Sequence, residues 1–287
     1  MQSIVTKVVC KAFERIAPLR LAEKWDKVSR LLESPFQRAN ANRVLLTIDL
    51  TPDVLAEALR TPTAFIVSYH PSIFSPLPSL TLSTPLQASL LSLAVNGISL
   101  YCPHTSLDSV HGGINDWLAR GVKGESDNGD VSIIGDVKGD NEGGAGRIVT
   151  LDRSIDIGEL VKRIKNHLQL EQVDVGHPMT PKPIRTVAIC AGAGESMLSD
   201  IDADVYFTGE MPHHAVLAAV AKGVYVVLCG HTNTERGYLP VLAEKLRATF
   251  SQLTEETVVT ESERTELKNL QLEVFVSKED RHPLQRM

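Results

Sequence analysis

Two stretches of the chain end in one pattern, C-x-H-T-x-x-(D/E). The first runs from Cys102 to Asp108 and the second from Cys229 to Glu235. Each follows a short apolar run, so each histidine falls where a strand should end, at His104 and His231. The acid comes four residues later, on the first turn of a helix, and at that spacing both side chains point the same way. A single H-x-x-x-D is commonplace and usually marks a cap or a surface contact. Its recurrence at matching places is what points to metal. His70 closes another apolar run, AFIVSYH (64–70). Three imidazoles and two carboxylates (His70, His104, Asp108, His231 and Glu235) form a nitrogen–oxygen set that suits Zn, Fe or Mn better than Ca or Mg. A carboxylate can bridge two ions, so the set could hold up to two per chain. Such a pair activates water, with Glu235 the candidate catalytic group.

Other polar clusters have two readings each. Gly192-Ala193-Gly194 follows a strand-like run and reads as a phosphate cradle or, more simply, a tight strand–helix turn. Glu210 with His213 and His214 reads as support for the site, a substrate contact or an ordinary helix start. Asp49 caps a turn or borders the site, and Trp25-Asp26 reads as packing plus a cap. No Ser-His-Asp or Cys-His order suggests covalent catalysis.

The elements that would position these residues alternate. RVLLTID (43–49) reads as a buried strand, and Thr51-Pro52 opens a helix with a cap and a first-turn proline. AFIVS is a strand, 72–83 a Pro/Ser-rich loop, 85–96 a helix stopped by Gly97, and 98–101 a strand. The same order returns later as RTVAICAGAGESML (185–198), ADVYFTGE (203–210) and the strand before His231. Strand–helix alternation implies an α/β fold with mainly parallel sheets, built as two similar lobes. Composition suggests a first lobe over 1–122, a connecting segment over 123–184 that opens on a Gly/Asp-rich stretch, and a second lobe over 185–287. Residues 252–270 are polar and give no firm element, while Leu272–Val276 alternates as an edge strand would.

The chain has 287 residues, 43% of them apolar and 22% charged, with a net charge of −6. A sequence-independent grip on nucleic acid is not expected at that charge. No apolar run is long enough for a membrane span. The four cysteines form no C-x-x-C pair, which fits a reducing compartment, cytoplasmic with nuclear or mitochondrial alternatives. Residues 1–20 carry Lys7, Lys11, Arg15 and Arg20. They read as a first amphipathic helix with Ile4, Val8, Ala12 and Ile16 on one face, or as a mitochondrial presequence.

SYHPSIF (68–74), YCPHTSLD (101–108), GAGRIVTLD (144–152), YFTGEMPHH (206–214) and GHTNTERGYL (230–239) together resemble the Nif-three-like family, also described as GTP cyclohydrolase I type two-like. The resemblance spans nearly the whole chain. Tyr69-His70-Pro71 and the closing Asp280–Leu284 resemble the eukaryotic branch. It implies two interlinked α/β lobes with a dinuclear metal site in the cleft between them, on the same five residues. It also implies homo-oligomers (rings of trimers, or a dimer) and a transcription coactivator partner. The function it implies is metal-dependent hydrolysis of a small nucleotide- or phosphate-bearing substrate. The alternative is a non-catalytic metal-handling or interaction factor. Two positions depart from the family pattern. Tyr69 stands where many bacterial relatives have a second histidine, and Trp25-Asp26-Lys27-Val28-Ser29 replaces a Trp-Asp-Asn-x-Gly segment.

Overall fold

A computed structural model describes residues 3–124, 129–255 and 261–284. The chain falls into two compact units, Met1–Ser106 with Leu239–Met287, and Leu107–Tyr238. The second unit is therefore one continuous insertion into the first.

The first unit opens with helix α1 (Ile4–Ile16), whose cap Ser3 accepts from the Thr6 amide. Ile4, Val8, Ala12 and Ile16 are buried, as the amphipathic reading requires. After β1 (Ser29–Leu32) come β2 (Arg43–Thr47), α2 (Pro52–Arg60), β3 (Thr63–Ser68), α3 (Pro85–Val95) and β4 (Ser99–Cys102). The Thr51 side chain accepts from the Val54 amide and Thr84 from that of Gln87, each just before a first-turn proline. Strands β2, β3 and β4 lie side by side and parallel. Helices cover such sheets on both faces, which explains near-continuous burial along β3. Leu45, Ile66, Leu90, Leu93 and Leu100 form the core of this unit. Burying each side chain of this kind contributes about 1.5–3 kcal/mol.

A single helical turn, α4 (Thr105–Ser109), leads into the second unit. There follow α5 (Ile114–Lys123), β5 (Asp130–Ile133), β6 (Arg147–Ile155), α6 (Ile157–Leu168), β7 (Asp174–Gly176), β8 (Ile184–Ala193), α7 (Glu195–Leu198), β9 (Val205–Glu210), α8 (His213–Ala221), β10 (Tyr225–Leu228) and α9 (Asn233–Arg236). The chain then returns to the first unit as α10 (Leu239–Glu255), α11 (Glu261–Leu270) and β11 (Glu273–Val276), and β11 pairs parallel with β2 at the sheet edge.

The two sheets run in the orders β1-β4-β3-β2-β11 and β5-β6-β8-β9-β10-β7. The inferred repeat is visible in them. Strands β2-β3-β4 and β8-β9-β10 are parallel trios of the same order, and each trio is flanked by an antiparallel strand, β1 beside β4 and β7 beside β10. The outer pairs β5–β6 and β6–β8 are antiparallel, so the second sheet is parallel only at its centre.

The boundaries expected at 122 and 184 differ from these units. The expected connecting segment supplies β5, β6, α6 and β7, and the last helices and strand belong with the first unit. The reason is side-chain anchoring that composition does not show. Arg147 is fully buried and donates to Asp116 Oδ1 at 2.6 Å and Oδ2 at 3.0 Å, and to the carbonyls of Gly144, Gly146 and Ser109. A Cβ at Gly143 would strike the Ser109 carbonyl, so this glycine is there for close packing. Among the described residues no helix is long and apolar enough to cross a membrane.

Candidate metal centre

In the first unit, the ladder between β2 and β3 continues past the strand ends. The Tyr69 amide donates to the Thr47 carbonyl and the His70 amide to that of Ile48. This register sets Asp49 beside His70, with His70 Nδ1 2.9 Å from Asp49 Oδ1. His104 follows β4, the neighbour of β3, with a positive φ of 30° that turns the chain out of the sheet. The two imidazoles stand 5.5 Å apart between ring centres and nearly perpendicular. His104 Nδ1 meets Asp26 Oδ1 at 2.8 Å, and the other Asp26 oxygen takes the Thr105 amide and hydroxyl. Burial of Asp26 pushes its carboxyl up. The bonds from His104 and Thr105 outweigh that and hold it below the ordinary carboxylate range.

The second unit repeats the arrangement. The Cys229 amide donates to the Thr208 carbonyl and that of Gly230 to Gly209, continuing β10 alongside β9. His231 thereby lies beside Glu210, with Nδ1 2.9 Å from Oε1. Its Nε2 is 3.3 Å from Oε1 of Glu235, four residues on and buried. The expected His-x-x-x-acid geometry is thus present at His231–Glu235. Asp108 belongs to this unit too. Its carbonyl accepts from Asn115, whose side-chain oxygen takes the Ala191 amide at the end of β8. Burial drives the Cys190 thiol up to about 12, and the Asp108 and Glu235 carboxylates add to the shift. Both carboxylates therefore act on one point of β8.

All three histidines share one device, with Nδ1 on a carboxylate: Asp49 for His70, Asp26 for His104 and Glu210 for His231. A proton held at Nδ1 puts the ring lone pair on Nε2 and fixes the ring's orientation, as carboxylates behind metal-binding histidines do. These donors fit a divalent ion. The backbone fits as well. Gly192 has φ +65°, and a Cβ there would lie 2.8 Å from Glu235 Oε1 and 3.0 Å from His231 Nε2. Gly192 is therefore a close-approach position near the irregular end of β8, and Gly194 alone separates that strand from α7.

Asp26, Asp49 and Glu210 are functional candidates whose roles the sequence leaves open. Asp49 follows β2 and Glu210 closes β9, each at the carboxyl end of a central strand, and that is the available signal. Asn115 carries none. His213 and His214 are exposed at the start of α8, with ring centres 5.4 Å apart. Tyr69 is buried, and its ring packs 5.0 Å from that of His70 and 5.4 Å from that of His104.

Comparison with known proteins places the fold in a family. The Duf34/NIF3 (NGG1p interacting factor 3) family model matches residues 5–266. The chain belongs to the Duf34/NIF3 family. Among NIF3 relatives, the NIF3 homolog of Schizosaccharomyces pombe is 47% identical over 247 residues, covering 84% of this chain and 88% of that protein. The NGG1-interacting factor 3 of Saccharomyces cerevisiae is 36% identical, covering 80% and 85%. The solved structure of Staphylococcus aureus hypothetical protein SA1388 superposes with a TM-score of 0.77 at 21% identity, covering 98% and 99%. Reduced HcgD from Methanocaldococcus jannaschii gives 0.71 at 22%, covering 94% and 96%. At those identities the structural neighbours show the NIF3 fold and no more.

Proposed function

We propose that this NIF3-family protein binds divalent metal, up to two ions of Zn, Fe or Mn per chain, through His70, His104, Asp108, His231 and Glu235, and uses it to hydrolyse a small nucleotide- or phosphate-bearing substrate. The observation that carries the reading is the carboxylate behind each histidine. Ordinary surface histidines have no need of three matched partners on three separate elements. When bound, the metal supplies Lewis acidity that makes water acidic near neutral pH and polarises an acceptor oxygen. The chain's part is orientation. Asp49, Asp26 and Glu210 would set the tautomer and angle of each ring, and Glu235, buried beside His231, would serve as a ligand that positions the water.

The test is metal content followed by turnover. Protein purified without chelator carries Zn, Fe or Mn, and His104→Ala and His231→Ala each lose most of it. A panel of nucleotides and phosphoesters is then turned over by wild type and not by Glu235→Gln. Wild type that takes up no metal at micromolar concentration overturns the metal reading. Metal uptake with no turnover across the panel overturns the hydrolase alone. That second result favours the other reading, a homo-oligomeric metal-binding interaction factor with a transcription coactivator partner, which the name of the Saccharomyces cerevisiae relative motivates.

A further inference from the structure

Helices α5 and α6 of the second unit border a cleft of about 690 Å³, lined by none of the candidate metal ligands. Four cationic side chains line it, Arg120 and Lys123 from α5 and Lys162 and Arg163 from α6, against one carboxylate, Glu159. That concentration runs against a chain whose net charge is −6. Arg163 has structural work. It pairs with Glu159 and donates to the Val122 and Lys123 carbonyls at the end of α5. Arg120 and Lys162 have no such role. Both are exposed, and neither has a carboxylate partner among the described residues. His167 also lines the cleft, and its buried Nε2 meets no protein hydrogen-bond partner. The helices approach closely here because Gly121 has no side chain, and a Cβ would lie 2.5 Å from the His167 ring. Like charges gathered around a cleft repel one another unless an anion joins them, and multiply charged phosphate is the anion that several Lys and Arg heads hold together. The volume lies within the range of small-ligand sites.

We propose that this cleft binds the phosphate groups of a small polyanion of the nucleoside-triphosphate class, at a site separate from the metal-binding histidines. The full-length protein is titrated calorimetrically with ATP and with inorganic tripolyphosphate. Both bind one per chain, and the double variant Arg120→Glu/Lys162→Glu weakens binding at least tenfold. Lys162→Gln, a mild exposed change, weakens it several-fold and keeps the test valid if the reversals disturb folding. His231→Ala binds as wild type does, which separates this site from the metal reading. Equal affinity for the two probes identifies the phosphates as the whole determinant, and tighter ATP adds a nucleoside contact. No binding of either probe overturns the proposal, as does affinity unchanged in both cleft variants or lost in His231→Ala. Binding of single-stranded RNA more than tenfold tighter than ATP overturns it as well.

Discussion

The backbone at Gly192 passes so close to Glu235 that a methyl group added there would sit 2.8 Å from the carboxylate oxygen and 3.0 Å from His231 Nε2. Gly192→Ala therefore pushes on both side chains at once and also pays for a left-handed backbone, at about 1–2 kcal/mol. The expected outcome is a lowered melting temperature together with lost metal, read by thermal denaturation and elemental analysis. A variant as metal-replete as wild type would show that Gly192 does not crowd a ligand pair.

Asp49→Asn and Glu210→Gln keep the size of the side chain and remove the charge behind His70 and His231. Both carboxylates are at least partly exposed, so folding should survive. Metal affinity should fall by about 10–100-fold, the usual effect of removing such a partner. Competition with a metallochromic chelator measures it. Affinity unchanged in both variants would reduce these pairs to surface contacts.

Arg147→Met leaves Asp116 with the Gly112 amide alone and removes the guanidinium donor from the carbonyls of Gly144 and Gly146. Removing one partner of a fully buried pair costs about 3–5 kcal/mol, and with Asp116 partly exposed the expected loss is at or below the lower end of that range. Urea denaturation should show a loss of that order. A loss below 1 kcal/mol, about the scale of an exposed pair, would mean the loop before β6 is held by something else.

Asp204 gives the stability a pH dependence. Burial raises its carboxyl, but the Lys182 side chain and the Arg185 and Thr186 amides lower it further, for a net depression. A depressed acid stabilises the fold above its unfolded value, near pH ~3.9, and that contribution disappears as pH falls through the folded value. Wild type should therefore exceed Asp204→Asn in stability at pH 7, with the gap closing in acid. A gap that is constant with pH, or that widens on acidification, would contradict the assignment.

The sequence alone determined the parts that depend on local pattern. Thr51-Pro52 dictated a capped helix start, and the continuous apolar run at 64–68 dictated a strand buried on both faces. The doubled C-x-H-T-x-x-(D/E) dictated matching strand-to-helix turns, with Glu235 one turn beyond His231. Short edge strands escaped, because β1 and β7, with four and three residues, are too brief to show a period. Only the tertiary structure decided which carboxylate serves which histidine. Asp26 and His104 are 78 residues apart, and Asp49 and His70 are 21 apart. Sheet register and a loop that folds back settle those pairings, and neither leaves a mark in spacing. The same holds for the unit boundaries. Composition saw a glycine-rich connection, whereas one buried arginine and the paired strands that follow it make that stretch part of a core, since backbone buried there must find its hydrogen bonds in partners far along the chain.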